Sequence, residues 1–428
     1  MVGIGPFVTL SMIVGIMHGP MSIFAWLLGA LLAYMDGLVW CELGAKWPEA
    51  GGSYVFLQKL FSRYTYESKA GTTTWGKMMS FLFIWQTTIQ APLVIASGAI
   101  GFAKYSSFLV PLNEWEKKAV SGTLVILLVA LLYRNIKEIG KISVVLWVIT
   151  GGTILWLIGS GIGQFKLEQA LNLQYDVFQA KDLLYVALGQ ASLKAVYSYL
   201  GYYNVCHLGA EIKNPEKNIP RSMLLSITGI AILYLAMQTV IVGVLPWQQV
   251  AASEFMASTY FETIYHSHFI GQIATLLILV IAAASLFSAM LGYSRIPYAA
   301  AINGDFFKVF AKVHPKHHFP TVSLLTIGAL GFAFSLLFRL GEVITAILMM
   351  RILIQFVSQA VGVILWHYHA PKDERPFKMP LFPIPALLSI AIWMFIFVTN
   401  DSKYILGALG CLLSGVMAYF FIKRKEVV

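Results

Sequence analysis

Charge is what this chain has least of. Only 12% of its 428 residues are Asp, Glu, Lys or Arg, against 58% hydrophobic residues, and the mean hydropathy is +0.74. A soluble domain carries about a quarter of its residues charged, so the solvent for most of this chain is lipid. Cysteine is scarce too: Cys41, Cys206 and Cys411 all fall in or at the end of apolar runs, which excludes a disulfide framework and a cysteine-built metal cluster. No charged segment precedes the first apolar stretch and no small-residue cleavage site follows it, against a signal peptide. Neither H-E-x-x-H nor G-x-S-x-G occurs, and no paired carboxylates stand at a membrane boundary, so nothing points to a membrane enzyme. A repeated pore loop, which a channel would show, is missing as well.

What the chain has is apolar length. A hydrocarbon core roughly 30 Å thick takes about 20 residues of helix to cross, and apolar runs recur at 20–45, 78–103, 119–133, 142–162, 183–206, 223–245, 269–294, 321–338, 343–366, 383–399 and 404–422. A shorter run, Val2 to Met17, opens the chain. It makes only about 24 Å of helix, so it reads as the second half of a broken first span whose first half is absent from this sequence. The expected fold is all-α and polytopic, with about 12 transmembrane segments, the first one truncated. The polar stretches 46–77, 246–267 and 295–320 are expected to hold short amphipathic helices lying on the surface.

Lys and Arg set the orientation. With the start of the chain inside, 21 of the 30 fall in inner loops and 7 in outer loops, while Lys194 and Arg351 lie within spans. This predicts a multi-pass protein of the cell membrane with both termini cytoplasmic. The net charge of +10 is scattered over six loops, so it is an orientation signal rather than a nucleic-acid surface.

Two spans are interrupted. Gly3-Ile4-Gly5-Pro6 opens the first and Leu200-Gly201-Tyr202-Tyr203 breaks the sixth. Unwound backbone at mid-membrane persists only where a polar ligand or cavity takes up its N–H and C=O groups. Glycine lets the chain leave helical angles, and Pro6 removes a donor at the first turn. The N–H groups of Phe7 and Val8, at the positive end of the new helix, suit a carboxylate, and carbonyls freed from Ser198 to Gly201 suit an ammonium group. The pair describes a zwitterion site. Matching breaks in spans one and six also predict two five-helix units of inverted topology, 1–163 and 182–366, with two additional helices at 383–423, in a single transmembrane domain.

At these residues the chain resembles the amino acid permeases of the amino acid, polyamine and organocation superfamily. Gly3-Ile4-Gly5-Pro6-Phe7-Val8 is similar to their first-helix break, and Glu42 to Tyr54 to the end of their second helix. Tyr199-Leu200-Gly201-Tyr202 through Glu211 to Arg221 is similar to the sixth helix and its exit loop, Ser294 to Ala301 to the eighth-helix end, and Arg375 to Pro380 to the entry of span eleven. The resemblance covers nearly the whole chain. It implies a leucine-transporter-like five-plus-five inverted repeat and a secondary transporter working by alternating access. It also implies a lidding aromatic at Tyr197, with Ser198 and Tyr199 offering freed backbone. Ile4 stands where relatives carry a small or hydroxyl residue, and an ungapped match puts Trp147 where many proton-coupled relatives carry lysine in span five.

Charged and amide groups inside spans are functional candidates by default. Lys194 lies near mid-membrane and shares a helix face with Tyr197 and Gly201, as a proton carrier would; a structural lysine is the alternative. Arg351, Gln355, Ser358 and Gln359 form one stripe along span ten, and Asp36 is the deep carboxylate expected to pair with Arg351 directly or through water. Glu42, near the inner end of span two, is assigned to an inner gate together with Glu211. His314, His317 and His318 read as a solvated cluster, and Gly159 to Gly163 as a close-packing span end, so no metal and no cofactor are expected. The partners expected are an amino acid substrate, placed against Gly3, Ile4, Gly5, Phe7, Val8, Tyr197, Ser198, Tyr199, Gly201 and Tyr202, and membrane lipid. Proton-coupled import, exchange and polyamine transport remain open, as does a receptor or scaffold that moves nothing.

Overall fold

The computed structural model describes residues 3–49, 51–62, 75–133, 139–173, 181–315 and 319–426. Each of the twelve apolar runs holds a helix: α1 (Gly5–Ile16), α2 (Ser22–Lys46), α3 (Trp75–Leu109), α4 (Glu114–Leu132), α5 (Ile139–Gly161), α6 (Lys181–Tyr199), α7 (Pro215–Val244), α8 (His268–Ile302), α9 (Thr321–Leu337), α10 (Leu340–His369), α11 (Ile384–Val398) and α12 (Ser402–Glu426). Among the described residues, α2, α3, α7, α8, α10 and α12 are each long and apolar enough to cross a membrane alone. The sole β pairing there is a single bridge between Val313 and Pro320. Leu127, Trp147, Leu225, Leu337, Leu406 and Met417 are each more than half exposed on helix surfaces. An apolar exterior of this kind is stable in lipid and costly in water. The protein is an all-α polytopic membrane protein.

Four helices pack on the helix five places further along the chain. Helix α1 lies against α6, α2 against α7, α3 against α8 and α4 against α9. Crossed contacts come in pairs as well: α3 with α10 and α8 with α5, α5 with α7 and α10 with α2. Helix α11 packs on α2, α6 and α10, and α12 on α3 and α10.

Local chemistry fixes several ends. The Asn113 side chain accepts from the N–H groups of Trp115 and Glu116, while the Glu116 carboxylate accepts from the Asn113 N–H, a reciprocal cap that starts α4. Between α1 and α2 the chain turns at Gly19, with φ at 97°. A Cβ there would stand 2.8 Å from Trp247, so only glycine fits the turn. Within α10 the helix widens to a π-helix over Ile352–Val357.

Two expectations about the polar stretches need correction. The helix Ser53–Ser62 does not lie on the surface: Tyr54, Val55, Phe56, Leu57 and Leu60 are buried, as are Tyr260, Phe261 and Ile264 of the helix Met256–Tyr265. Their apolar faces are wide enough to be covered by protein rather than lipid headgroups. Helix α8 also continues to Ile302, past the apolar run that ends at 294.

Candidate functional site

The two interruptions meet at the centre of the bundle. A Cβ built on Gly5 would stand 3.3 Å from Ser198 Cα and 3.5 Å from Tyr197 Cε1, so the α1 backbone lies directly on the end of α6. One helical turn on, the hydroxyls of Thr9 and Ser198 share a buried hydrogen bond of 2.8 Å. Gly3 approaches α8, where a Cβ would meet Ser285 Oγ at 2.5 Å, and Ile4 is buried against Gly101 of α3. Helix α6 ends at Tyr199, and Gly201 takes φ of 107° before a single turn at Asn204–His207. A side-chain-bearing residue is strained at that angle.

Several backbone groups at the breaks are differently occupied than expected. The N–H groups of Phe7 and Val8, assigned to a carboxylate, donate to the Ile4 carbonyl at 3.1 and 3.3 Å. Ile4 already has helical angles and closes the first turn, so the donors ahead of that turn belong to Gly3, Ile4 and Gly5. The Phe7 carbonyl accepts from Tyr105 Oη at 2.9 Å, and the Ser198 carbonyl from Tyr234 Oη at 3.3 Å. Tyr197 is tethered by its hydroxyl to Ser97 Oγ at 2.8 Å and lies beside Gly5, the place a lidding aromatic would take. Tyr199 is buried, donates to the Trp26 carbonyl at 3.3 Å and packs on Trp26 and Tyr234. Tyr202 is turned away from the break to donate to Asp36 at 2.5 Å.

The buried charges are arranged unlike the expectation. Asp36 and Arg351 do not pair directly. Besides Tyr202, Asp36 accepts from Ser389 Oγ at 3.1 Å and Trp393 Nε1 at 3.3 Å, both on α11. Neutral donors in three directions take the place of a cation. Arg351, 3% exposed, donates from Nε to Gln355 Oε1 at 2.7 Å. Its guanidinium stands 5.0 Å from the Tyr203 ring centroid and 5.5 Å from that of Phe356, within cation–π range. The polar stripe also departs from α-helical spacing: Ser358 Oγ donates to the Leu353 carbonyl five residues back, and Gln359 Nε2 to the Gln355 carbonyl, where the π-helix widens the turn. Lys194 is buried on α6 and donates to the Gly341 carbonyl at 2.8 Å and Thr345 Oγ1 at 2.5 Å, both on α10. Trp147 is 72% exposed and so stands away from the breaks. Thr150 and Thr153 are buried polar residues on that part of α5.

Near the C-terminal end of α2, Glu42 is fully buried. It meets His367 Nε2 at 2.5 Å, Arg375 Nε at 3.5 Å and the Met379 N–H at 3.2 Å, so it ties α2 to the end of α10 and the segment before α11. Glu211 is exposed and does not join it. His367 escaped notice in the sequence because nothing in an apolar helix end ties a histidine there to a carboxylate more than 300 positions away. His314 stacks on Phe319 and sits edge-on to Tyr133; His317 and His318 lie outside the described residues. Among the described residues no three His, Cys, Asp or Glu side chains converge as metal ligands do.

Two helix interruptions brought together inside an all-α bundle, with lone buried cations beside them, define a membrane protein built around a polar centre. A family model described as amino acid permease matches residues 1–420. The chain belongs to that family, whose members are permeases and not enzymes. It is 22% identical to a methylthioribose transporter of Bacillus subtilis over 99% of this chain and 90% of that protein. It is 24% identical to a serine/threonine exchanger of the same organism, over 95% and 89%. An aspartate-proton symporter, again from Bacillus subtilis, is 24% identical over 95% and 78%. Most of the relatives found are amino acid transporters or exchangers, which supports amino acid transport here.

Proposed function

We propose that this protein is a secondary active transporter that imports amino acids across the cell membrane by alternating access, with proton coupling through Lys194. The observation that carries this reading is the meeting of the two breaks, Gly5 against Ser198 with Thr9 and Ser198 bonded at 2.8 Å. Half-helix ends at such a point offer N–H groups to a carboxylate and carbonyls to an amine. In this proposal residues 1–163 and 182–366 form the two inverted repeats, both termini are cytoplasmic, and Tyr197 covers the bound zwitterion.

Lys194 suits the coupling role because it is buried, lies two turns from the α6 break and bonds only to the neutral acceptors Gly341 and Thr345. A lysine so placed changes the net charge of the site when it gains or loses a proton, which links protonation to occupancy. Exchange is the second reading, favoured by the similarity to a serine/threonine exchanger. The test is uptake by the purified protein in liposomes. An inward proton gradient should drive accumulation without sodium, and Lys194→Met should abolish that dependence while leaving exchange of internal for external substrate. Uptake indifferent to the gradient, requiring internal amino acid instead, would establish the exchanger.

A further inference from the structure

Arg351 has no acidic partner. Among the described residues no carboxylate oxygen lies within 4.0 Å of it, and Asp36, the deep carboxylate, is occupied by Tyr202, Ser389 and Trp393. A guanidinium stays charged under any physiological condition, and a buried charge without a counter-charge is expensive. Its partners are the Gln355 amide oxygen, the Tyr203 hydroxyl and the ring faces of Tyr203 and Phe356, none of them a carboxylate.

The groups around it are short of acceptors. Gln355, 1% exposed, accepts from Arg351 while its own Nε2 has no partner. On α3 the Nε2 groups of Gln86 and Gln90, both at most 3% exposed, also lack partners. Leu93 and Ala96 of α3 pack on Val343 and Ile347 of α10, and α3 also contacts the π-helical segment that follows Arg351 and holds Gln355. The orphan acceptor Gln359 Oε1 lies one turn beyond. A ligand that fits unpartnered donors around a fixed positive charge is acceptor-only and negative, which describes a carboxylate. The α-carboxylate belongs at the other end of the site, by Gly3 to Gly5. Arg351 instead faces Tyr203, on the far side of the α6 break.

We infer that Arg351, with Gln355, forms a subsite for a second carboxylate on the substrate, so that the preferred substrates are acidic amino acids. The inference rests on the amino acid site proposed above and goes further in naming the class. The alternative source of negative charge is a free inorganic anion.

The test is thermal stabilisation of the full-length purified protein by L-aspartate, L-glutamate, L-serine, L-leucine and L-lysine in chloride-free buffer, with chloride alone as a separate arm. L-aspartate or L-glutamate should stabilise most. Arg351→Gln should weaken that binding by about 30-fold or more, the loss expected when one partner of a buried charge pair is removed, while any binding of L-serine changes by less than about threefold. Gln355→Leu, which keeps the charge, should weaken acidic binding by a smaller factor and decides the matter if Arg351→Gln does not fold. Stabilisation by neutral or cationic amino acids but not by acidic ones would overturn the inference and leave the amino acid site standing. Acidic binding unchanged by either substitution would overturn it too, as would stabilisation by chloride alone that Arg351→Gln removes. If no amino acid of any class stabilises the wild type, the underlying site fails along with it.

Discussion

Helix α2 carries two buried carboxylates, and α6 and α10 carry two buried cations; the two sets are treated oppositely. Asp36 accepts from a tyrosine, a serine and a tryptophan, and Glu42 meets a histidine, accepts from a backbone N–H and lies in ion-pair range of an arginine. Lys194 and Arg351 face only neutral acceptors. Fully bonded buried charges hold a structure in one arrangement, while under-bonded ones remain open to a ligand or a proton. In the proposals above, the acids serve the scaffold and the cations serve substrate and proton.

The sharpest way to break that comparison is to remove one member of each set. Asp36→Ala leaves three donors without an acceptor, at about 1 to 3 kcal/mol each, so it should destabilise by roughly 3 kcal/mol or more. Arg351→Met, which swaps an under-bonded charge for an apolar chain, should be close to neutral. Thermal unfolding of the two variants in detergent measures both, and equal losses would show that Arg351 is scaffold after all. A somewhat smaller loss of stability is expected for Gly201→Leu. It forces a branched side chain to φ of 107°, a strain of about 1 to 3 kcal/mol, and should abolish amino acid binding while the protein still expresses; retained binding would move the substrate away from the α6 break. The smallest change is expected at the Glu42 cluster. Glu42→Gln removes the charge that His367 and Arg375 share, and should raise the rate at which a membrane-permeant maleimide labels buried Cys41 and Cys206 by a few-fold. Labelling unchanged from the wild type would mean that the Glu42 cluster does not hold that end of the bundle shut.

How much of this was legible in the sequence depends on the physics that each feature obeys. The twelve helices were legible because lipid imposes a length of apolar chain, and the interruptions because only glycine tolerates the angle found at Gly201. The partner of Asp36 was not. Charge arithmetic offered Arg351, whereas the carboxylate is bonded by neutral residues, two of them more than 350 positions away on α11. The helical spacing of the α10 stripe presumed 3.6 residues per turn, which the π-helix at Ile352–Val357 does not keep. Trp147 was placed by ungapped matching, which carries no information on which side of α5 faces the core. The N–H groups of Phe7 and Val8 were assigned one turn too late, because Ile4 had already joined the helix.

The bond from Tyr202 to Asp36 has a mechanical meaning. Tyr202 rides on the loosened stretch beyond Gly201, while Asp36 is pinned on its other side by Ser389 and Trp393 of α11. Helix α11 packs on α2, α6 and α10, and it works as an abutment against which the loosened stretch is braced. Any swing of that stretch must drag the abutment along or shear one hydroxyl from one carboxylate, so a single phenol is the seam along which the bundle would part.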